Sequence, residues 1–231
     1  MRKKSKQVTA RRQIKELHIS MKALLFDFDG TLLNTNDLII KTFMHILDER
    51  FPGQYSPKDC MKFIGPSLTE TFEQITPNEV DEMIEKYRQW NQAHHDELVT
   101  EYDGVVSTLE KLKEQGIRLA VVSTKRKDTV EKGLDLMGAK HLFEFWIGGD
   151  DVKNVKPDPE PVLIAIERLG VSKEDVMMIG DNYHDILAGK NAGVKTAGVS
   201  WSIKGEDFLK QFNPDYILQH MVDLLTIVKE S

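Results

Sequence analysis

The sequence has one cysteine and no long apolar segment. Cys60 has no second cysteine to pair with, so an internal disulfide is excluded and nothing requires an oxidising compartment. No apolar run approaches the ~18 residues of a membrane-spanning helix. These two absences predict a cytoplasmic protein with no membrane partner, in which Cys60 is a small core or surface residue rather than a nucleophile.

An excess of basic residues and the usual nucleotide-binding loops are also absent. The chain of 231 residues has a formal net charge of −6, which argues against nucleic acid as a partner of the whole surface. No G-x-G-x-x-G or Walker loop occurs, so a nucleotide cofactor is not expected. His94 and His95 lack the spacing of an H-E-x-x-H zinc site, and we expect them on a solvated helix face.

Residues 1–20 differ in charge from the rest of the chain. They contain seven Lys or Arg residues and one Glu, a net charge of +6, which leaves −12 for residues 21–231. The segment lacks the apolar stretch of a secretory signal. We interpret it as a basic N-terminal extension, a mobile tail or the result of an upstream start, with an arm that makes contacts as the alternative.

Two aspartates follow a candidate buried strand. Asp27 and Asp29 come directly after the apolar residues 23–26, and Gly30-Thr31 follows them. Strand side chains at positions i and i+2 point the same way, and ligands bind at the carboxyl ends of strands in open α/β sheets. The pattern therefore predicts two carboxylates in one pocket, with a polar strand-to-loop turn as the alternative.

Three further polar clusters follow an apolar strand or open a helix. In chain order they are Ser123-Thr124, Lys156 before Pro157, and the pair Asp181 and Asp185 after Gly180. Together with Asp-x-Asp-Gly-Thr, this order resembles the haloacid dehalogenase-like superfamily of aspartate-nucleophile phosphohydrolases, from about Met21 to the C-terminus. The resemblance implies an α/β fold: a Rossmann-like parallel sheet core with an inserted helical cap.

The resemblance also implies a metal and a nucleophile. Asp27 is expected to attack phosphorus and Asp29 to act as general acid and base. A phosphoryl group repels an attacking carboxylate, so a cation is needed beside it. Mg²⁺ is expected on Asp27, Asp181 and Asp185, and on the main-chain carbonyl of Asp29.

Phosphate contacts are expected from the two remaining motifs. Ser123 and the backbone amide of Thr124 would hold phosphate oxygens, and Lys156 would pair with both Asp27 and the phosphoryl group. Each residue has a structural alternative. Ser123 could cap the next helix, Lys156 could be a surface lysine, and Asp185 could be a first-turn helix carboxylate.

The spacing of the motifs predicts an insertion. More than 90 residues separate Asp29 from Ser123, far beyond the ~10–15 of a crossover helix. Apolar residues recur at helical spacing over residues 35–50 and 78–92. We therefore predict a helical cap at 35–102, and an α/β core at 21–34 and 103–231 with strands near residues 118–122, 147, 176 and 195.

A closer resemblance is to the bacterial inorganic pyrophosphatases of this superfamily. It rests on longer segments: 34–36, 63–68, 87–89, 94–99, 155–161 and 199–201. Many cap-bearing relatives have Asp where this chain has Asn34, so no charge acts at that position. The resemblance implies pyrophosphate as the small-molecule substrate.

Pyrophosphate has no carbon skeleton, so its leaving phosphate must be held by donors from the cap. Arg88 and Lys62 are the candidates, and ordinary solvated helix charge is the alternative for both. Phosphoglycolate phosphatases share the cap and all four motifs and are the second candidate class. A phosphomutase needs a cap that excludes water, which nothing in the sequence identifies, and the complete acid and lysine set argues against a non-catalytic protein.

Overall fold

The computed structural model describes residues 21–230, and the predicted basic extension at residues 1–20 lies outside them. The strands of this part of the chain are β1 (Ala23–Phe26), β2 (Leu33–Asn34), β3 (Thr100–Glu101), β4 (Arg118–Val122), β5 (Phe145–Ile147), β6 (Val176–Gly180), β7 (Lys195–Val199) and β8 (Tyr216–Leu218). The helices are α1 (Asn36–Arg50), α2 (Pro57–Cys60), α3 (Leu68–Ile75), α4 (Val80–Leu98), α5 (Val105–Glu114), α6 (Lys127–Leu136), α7 (Glu160–Leu169), α8 (Tyr183–Ala192), α9 (Glu206–Lys210) and α10 (Leu224–Glu230).

Six parallel strands form the main sheet in the order β5-β4-β1-β6-β7-β8. Every residue of the central strand β1 is buried, as expected for a parallel strand covered on both faces. Leu24 and Phe26 pack into one apolar cluster and Ala23 and Leu25 into another, because successive strand side chains point to opposite faces. The predicted α/β fold is confirmed.

The register of the three central strands positions the site. Phe26 at the end of β1 is paired with Val121 in β4 and with Ile179 in β6. The chain therefore leaves three neighbouring strands at nearly the same level, so the polar residues that follow each strand meet at one edge of the sheet.

Helices α1 to α4 lie between β2 and β3, which pair antiparallel as the entry and exit of this segment. The helices have an apolar cluster of their own. In it the ring of Phe43 lies 5.7 Å from Phe72 and 4.8 Å from Tyr87, measured between centroids. These helices fall inside the predicted insert, and the division into a core and a cap at residues 35–102 stays a prediction.

The structure departs from the sequence-based expectations in several places. The short strand β8 and helix α9 were not predicted. Helix α4 continues to Leu98, beyond the predicted end near residue 92. The expectation of a solvated face is wrong for His95, whose side chain is fully buried. His94 stacks on Trp90, with 3.9 Å between ring centroids.

Among the described residues, no helix combines the length and the apolar character needed to cross a membrane.

Candidate active site

Three predicted metal ligands meet at the carboxyl edge of the sheet. Asp27 follows β1, Asp181 follows β6, and Asp185 lies in the first turn of α8. One carboxylate oxygen from each residue lies within 4.8 Å of the other two, and all three residues are buried. Asp185 also accepts a hydrogen bond from the backbone N–H of Asn182 at 3.0 Å, so it caps its helix while facing the cluster.

Lys156 lies inside this cluster and is only 2 % exposed, so the alternative of a surface lysine is wrong. Its Nζ donates to Asp27 Oδ1 at 2.7 Å, to Asp185 Oδ1 at 2.6 Å and to the carbonyl of Val122 at 2.7 Å. An ammonium group has three N–H donors, so all of them are used. The side chain is thereby held at one position between β1, β4 and α8.

The cluster has more negative charge than Lys156 balances. Three carboxylates surround one ammonium group, an excess of two negative charges when all are ionised. Burial raises the pKa of Asp27 to about 7, although Lys156 opposes the shift. Burial and the neighbouring Asp27 raise the pKa of Asp181 as well. Burial alone would lower the pKa of Lys156, but the charges of Asp185 and Asp27 outweigh it and the pKa is raised.

These features suit a divalent cation. Asp181 Oδ2 is buried and has no hydrogen-bond partner among the described residues, which leaves a carboxylate oxygen without compensation for its burial. Gly30 lies against the same atom, since a Cβ at this position would come within 2.3 Å of it. Hard cations prefer carboxylate oxygens, and a charge of +2 would neutralise the excess.

Asp29 faces the other side of Asp27 and has a different partner. Its Oδ1 accepts a hydrogen bond from Lys125 Nζ at 2.6 Å, and both side chains are only partly buried. The side chain of Asp29 is outside the carboxylate cluster. The predicted contact of its main-chain carbonyl with the metal stays a prediction. The role of Lys125 was missed from the sequence, where its only signal is its place directly after Ser123-Thr124.

Ser123 and Thr124 occupy the loop after β4. Ser123 is buried and its Oγ accepts a hydrogen bond from the backbone N–H of Lys125 at 3.1 Å. The cap residue of α6 is Arg126, so the alternative of Ser123 as helix cap is wrong. Thr124 Oγ1 donates to the carbonyl of Gly65 at 3.4 Å.

A cavity of about 690 Å³ opens between the sheet edge and helices α1 to α4. Asp27, Asp29 and Thr124 line it from the sheet side, and Arg88 lines it from α4. Within residues 21–230, the guanidinium group of Arg88 makes no hydrogen bond or ion pair. Lys62 does not line the cavity; it is exposed and pairs with Asp59 at 3.2 Å.

The loop before α3 touches the residues of the carboxylate edge directly. Asn182 Nδ2 donates to the carbonyl of Ile64 at 2.9 Å, while Asn182 Oδ1 accepts from His184 Nδ1 at 3.1 Å. Burial lowers the pKa of His184 to about 4, so the ring is neutral at pH 7. Gly65 has φ +108°, and a Cβ there would lie 2.0 Å from Asn182 Nδ2. Only glycine lets the loop come this close.

A family model described as haloacid dehalogenase-like hydrolase matches residues 24–199. The chain belongs to this family. Hydrolases of the family generally use a divalent metal, in agreement with the carboxylate cluster. The family identified from the order of the four motifs is confirmed.

The chain is similar to curated and solved proteins along most of its length. It is 51 % identical over 210 residues to Pyrophosphatase PpaX of Halalkalibacterium halodurans, which covers 91 % of this chain and 98 % of that protein. A solved structure of a predicted phosphoglycolate phosphatase from Haemophilus somnus has 28 % identity and a TM-score of 0.78, and covers 90 % of this chain and 98 % of that one. A haloacid dehalogenase-like family hydrolase from Streptococcus pneumoniae has the same fold, with 22 % identity, a TM-score of 0.81, and coverage of 90 % and 98 %.

The contact between Gly65 and Asn182 predicts a loss of activity that is separable from backbone strain. Gly65→Ala should lower kcat/KM for hydrolysis of a phosphoryl substrate on the order of 10²-fold, because the added methyl group displaces the loop at the cavity. Gly53→Ala is the matched control, since Gly53 also has positive φ (+68°) but nothing within 4 Å of its Cβ position. Steady-state kinetics and thermal unfolding of both variants test this. Equal activity losses in the two variants would contradict it.

Proposed function

We propose that this protein is a Mg²⁺-dependent phosphohydrolase that uses Asp27 as nucleophile and hydrolyses inorganic pyrophosphate to two phosphates. The observation that carries the proposal is the 51 % identity to Pyrophosphatase PpaX over nearly the full length of that protein. The carboxylate cluster with its buried lysine supports the aspartate-nucleophile chemistry. Phosphoryl transfer depends on positioning and on compensation of charge, which carboxylates, a buried lysine and hydroxyl or amide donors can provide.

In the first step Asp27 attacks phosphorus and the bond to the bridging oxygen breaks. Lys156 binds Oδ1 of Asp27, which leaves Oδ2 for attack, and its charge opposes the rise in the Asp27 pKa that burial causes. The product is an aspartyl-phosphate, and Asp29 gives its proton to the departing phosphate. In the second step Asp29 takes a proton from a water whose oxygen bonds to phosphorus, the bond between phosphorus and Asp27 breaks, and the second phosphate leaves with Asp27 again a free carboxylate.

Phosphate oxygens need donors while charge builds up on them. Ser123 and the amide of Thr124, in the loop after β4, are proposed to donate to the transferring phosphoryl group, and Lys156, whose three donors are already used, is proposed to attract it by its charge. Mg²⁺ would be held by Asp27, Asp181, Asp185 and the carbonyl of Asp29; when bound, it neutralises charge on the phosphoryl oxygens. A cytoplasmic location remains part of the proposal.

Arg88 is proposed to bind the leaving phosphate from the cap side. Its guanidinium group lines the cavity and has no partner within residues 21–230, so its five N–H donors are available for phosphate oxygens. Arg88 reaches the cavity from α4, so closure of the helical insert would bring it to the substrate. Lys62 is not included, because it pairs with Asp59 outside the cavity.

Phosphoglycolate hydrolysis is the second candidate. It is favoured by the structural match to a predicted phosphoglycolate phosphatase, at 28 % identity. Both activities use the same four motifs and differ in the leaving group. Turnover of pyrophosphate, phosphoglycolate and sugar phosphates with Mg²⁺ present therefore distinguishes them.

Metal binding should stabilise the protein in a pH-dependent way. The pKa of Asp27 is about 7 in the folded state against an ordinary value of 3.8. Without metal, folding thus takes up protons, and this contribution to stability is present below pH ~4 and lost as the pH rises to ~7. Mg²⁺ competes with these protons, so the rise in Tm on adding Mg²⁺ should be larger at pH 8 than at pH 6.

Thermal unfolding with and without Mg²⁺ measures this effect. Asp181→Asn should abolish most of the rise in Tm. Asp128→Asn, at another cavity-lining aspartate outside the cluster, should keep it. A rise in Tm that is the same in both variants, or that is larger at pH 6, would contradict the proposed metal site.

Removing the nucleophile should abolish turnover. Asp27→Asn keeps the size of the side chain, but an amide does not attack phosphorus, so kcat should fall by roughly 10⁴-fold or more. Mass spectrometry of the rapidly quenched wild-type enzyme should show a phosphoryl adduct on Asp27. Substantial activity of Asp27→Asn would rule out this mechanism, and Asp128→Asn serves as the control for general effects of losing a carboxylate.

Arg88 should affect substrates according to their leaving group. If the proposal holds, kcat/KM is higher for pyrophosphate than for phosphoglycolate and sugar phosphates. Arg88→Ala should lower it far more for pyrophosphate than for an aryl phosphate, because only the leaving group of pyrophosphate has terminal phosphate oxygens that the guanidinium group can bind. Lys86→Ala is the matched control on the same helix, since Lys86 pairs with Glu82 and does not line the cavity.

Two results would decide against these assignments. A higher kcat/KM for phosphoglycolate than for pyrophosphate would support phosphoglycolate hydrolysis, the second candidate. An equal loss on pyrophosphate and on the aryl phosphate would mean that Arg88 supports the structure of α4 and does not bind the leaving phosphate.

A further inference from the structure

Lys125 is a cation of the cavity whose role the proposed mechanism leaves open. Its Nζ donates to Asp29 Oδ1 at 2.6 Å, and no other hydrogen bond or ion pair of this group occurs within residues 21–230. Two of its three N–H donors are therefore available to a ligand. The side chain is 13 % exposed and lines the cavity, so the free donors face space that a substrate can enter.

The other cations on the sheet side of the cavity are placed differently. Lys156 uses all three donors on Asp27, Asp185 and a carbonyl. Arg126 is paired with Asp128 at 3.0 Å. Lys153 lines the cavity but has no contact with any of the carboxylates proposed to act in catalysis. Lys125 alone among these four has both spare donors and a contact with the proposed general acid.

We propose that Lys125 binds the leaving phosphate of pyrophosphate, a recognition that rests on the proposed function. Asp29 must come within one hydrogen bond of the bridging oxygen in order to protonate it. Lys125 Nζ lies one hydrogen bond from Asp29. The terminal oxygens of the leaving phosphate extend beyond the bridging oxygen, into the space that Lys125 reaches.

A main-chain hydrogen bond fixes the position of the Lys125 backbone. Its backbone N–H donates to Ser123 Oγ at 3.1 Å, so the two residues are held on one tight turn after β4. Ser123 is proposed to bind the transferring phosphoryl group. The turn would then contact both halves of pyrophosphate, with Ser123 on the phosphoryl group that moves to Asp27 and Lys125 on the phosphate that leaves.

Lys125 compensates charge that appears only as the bond breaks. The electron pair of the broken P–O bond goes to the leaving phosphate, and the proton of Asp29 goes to the bridging oxygen. An anionic Asp29 then lies beside an anionic phosphate. Lys125 keeps its own proton and contacts both anions, so its effect is greatest in the transition state. A phenol leaving group becomes neutral once protonated and gains little from this cation.

Three substrates separate the possible roles of Lys125. Pyrophosphate needs protonation by Asp29 and also has a charged leaving group. Phenyl phosphate needs protonation but releases a neutral phenol. The nitrophenolate leaving group of p-nitrophenyl phosphate needs little protonation. Kinetics on the full-length enzyme with Mg²⁺ use Lys125→Met, which keeps the length of the side chain, and Lys125→Arg, which keeps the charge.

Lys125→Met should lower kcat/KM about 10²-fold or more for pyrophosphate, the size of effect seen when one electrostatic donor is removed. The loss should be about tenfold smaller for phenyl phosphate and smallest for p-nitrophenyl phosphate. Lys125→Arg should restore most of the pyrophosphate activity. Lys153→Met is the matched control, at a cavity-lining lysine without a catalytic contact, and should stay near wild type on all three substrates.

Two outcomes would overturn the proposal. Equal losses on pyrophosphate and phenyl phosphate would mean that Lys125 acts only by orienting Asp29. Equal losses on all three substrates, or no rescue by Lys125→Arg, would make it a structural residue. The wild-type enzyme tests the proposed function separately: a preference for phosphoglycolate overturns that function, whereas a uniform loss in Lys125→Met overturns only the role of Lys125.

Discussion

The arrangement of the site depends on one buried ammonium group. Lys156 binds Asp27, Asp185 and a β4 carbonyl, and it thereby joins the ends of two strands to the first turn of α8. Charges buried in this way are weak evidence for stability, because desolvation offsets most of the attraction between them. Removing one member leaves the others unpaired, at a typical cost of about 3–5 kcal/mol. We therefore regard the cluster as a geometry held for chemistry rather than for folding.

The sheet provides the precision that this cluster needs. Main-chain hydrogen bonds set the register of β1 with β4 and β6, so the residues after these strands cannot shift independently. The same edge also contacts the helical insert, where Asn182 and Thr124 donate to the carbonyls of Ile64 and Gly65. Residues next to the proposed metal and phosphate ligands thus touch the loop that borders the cavity. A change in the position of that loop therefore alters contacts of the site residues directly.

The sequence predicted most of the sheet and the members of the cluster, for a clear physical reason. Strands buried on both faces are continuous apolar runs, and polar residues directly after such runs must come together at one edge. Less could be predicted where contacts between distant residues decide the structure. The edge strand β8 has only three residues, and the burial of His95 depends on how α4 packs. The pair of Lys125 with Asp29 joins residues that are 96 positions apart.

The site therefore contains two kinds of position, which tolerate amino-acid substitution to different degrees. Asp27, Asp181 and Lys156 lie at strand ends or are locked by several partners, so a substitution there disturbs the whole cluster. Arg88 lies on α4 at the rim of the cavity and makes no hydrogen bond or ion pair within residues 21–230, so a substitution there leaves the cluster unchanged. Proteins similar to this chain include both a Pyrophosphatase PpaX and a predicted phosphoglycolate phosphatase. Variation at rim positions, above an unchanged set of strand ends, is the simplest physical route to such different leaving groups.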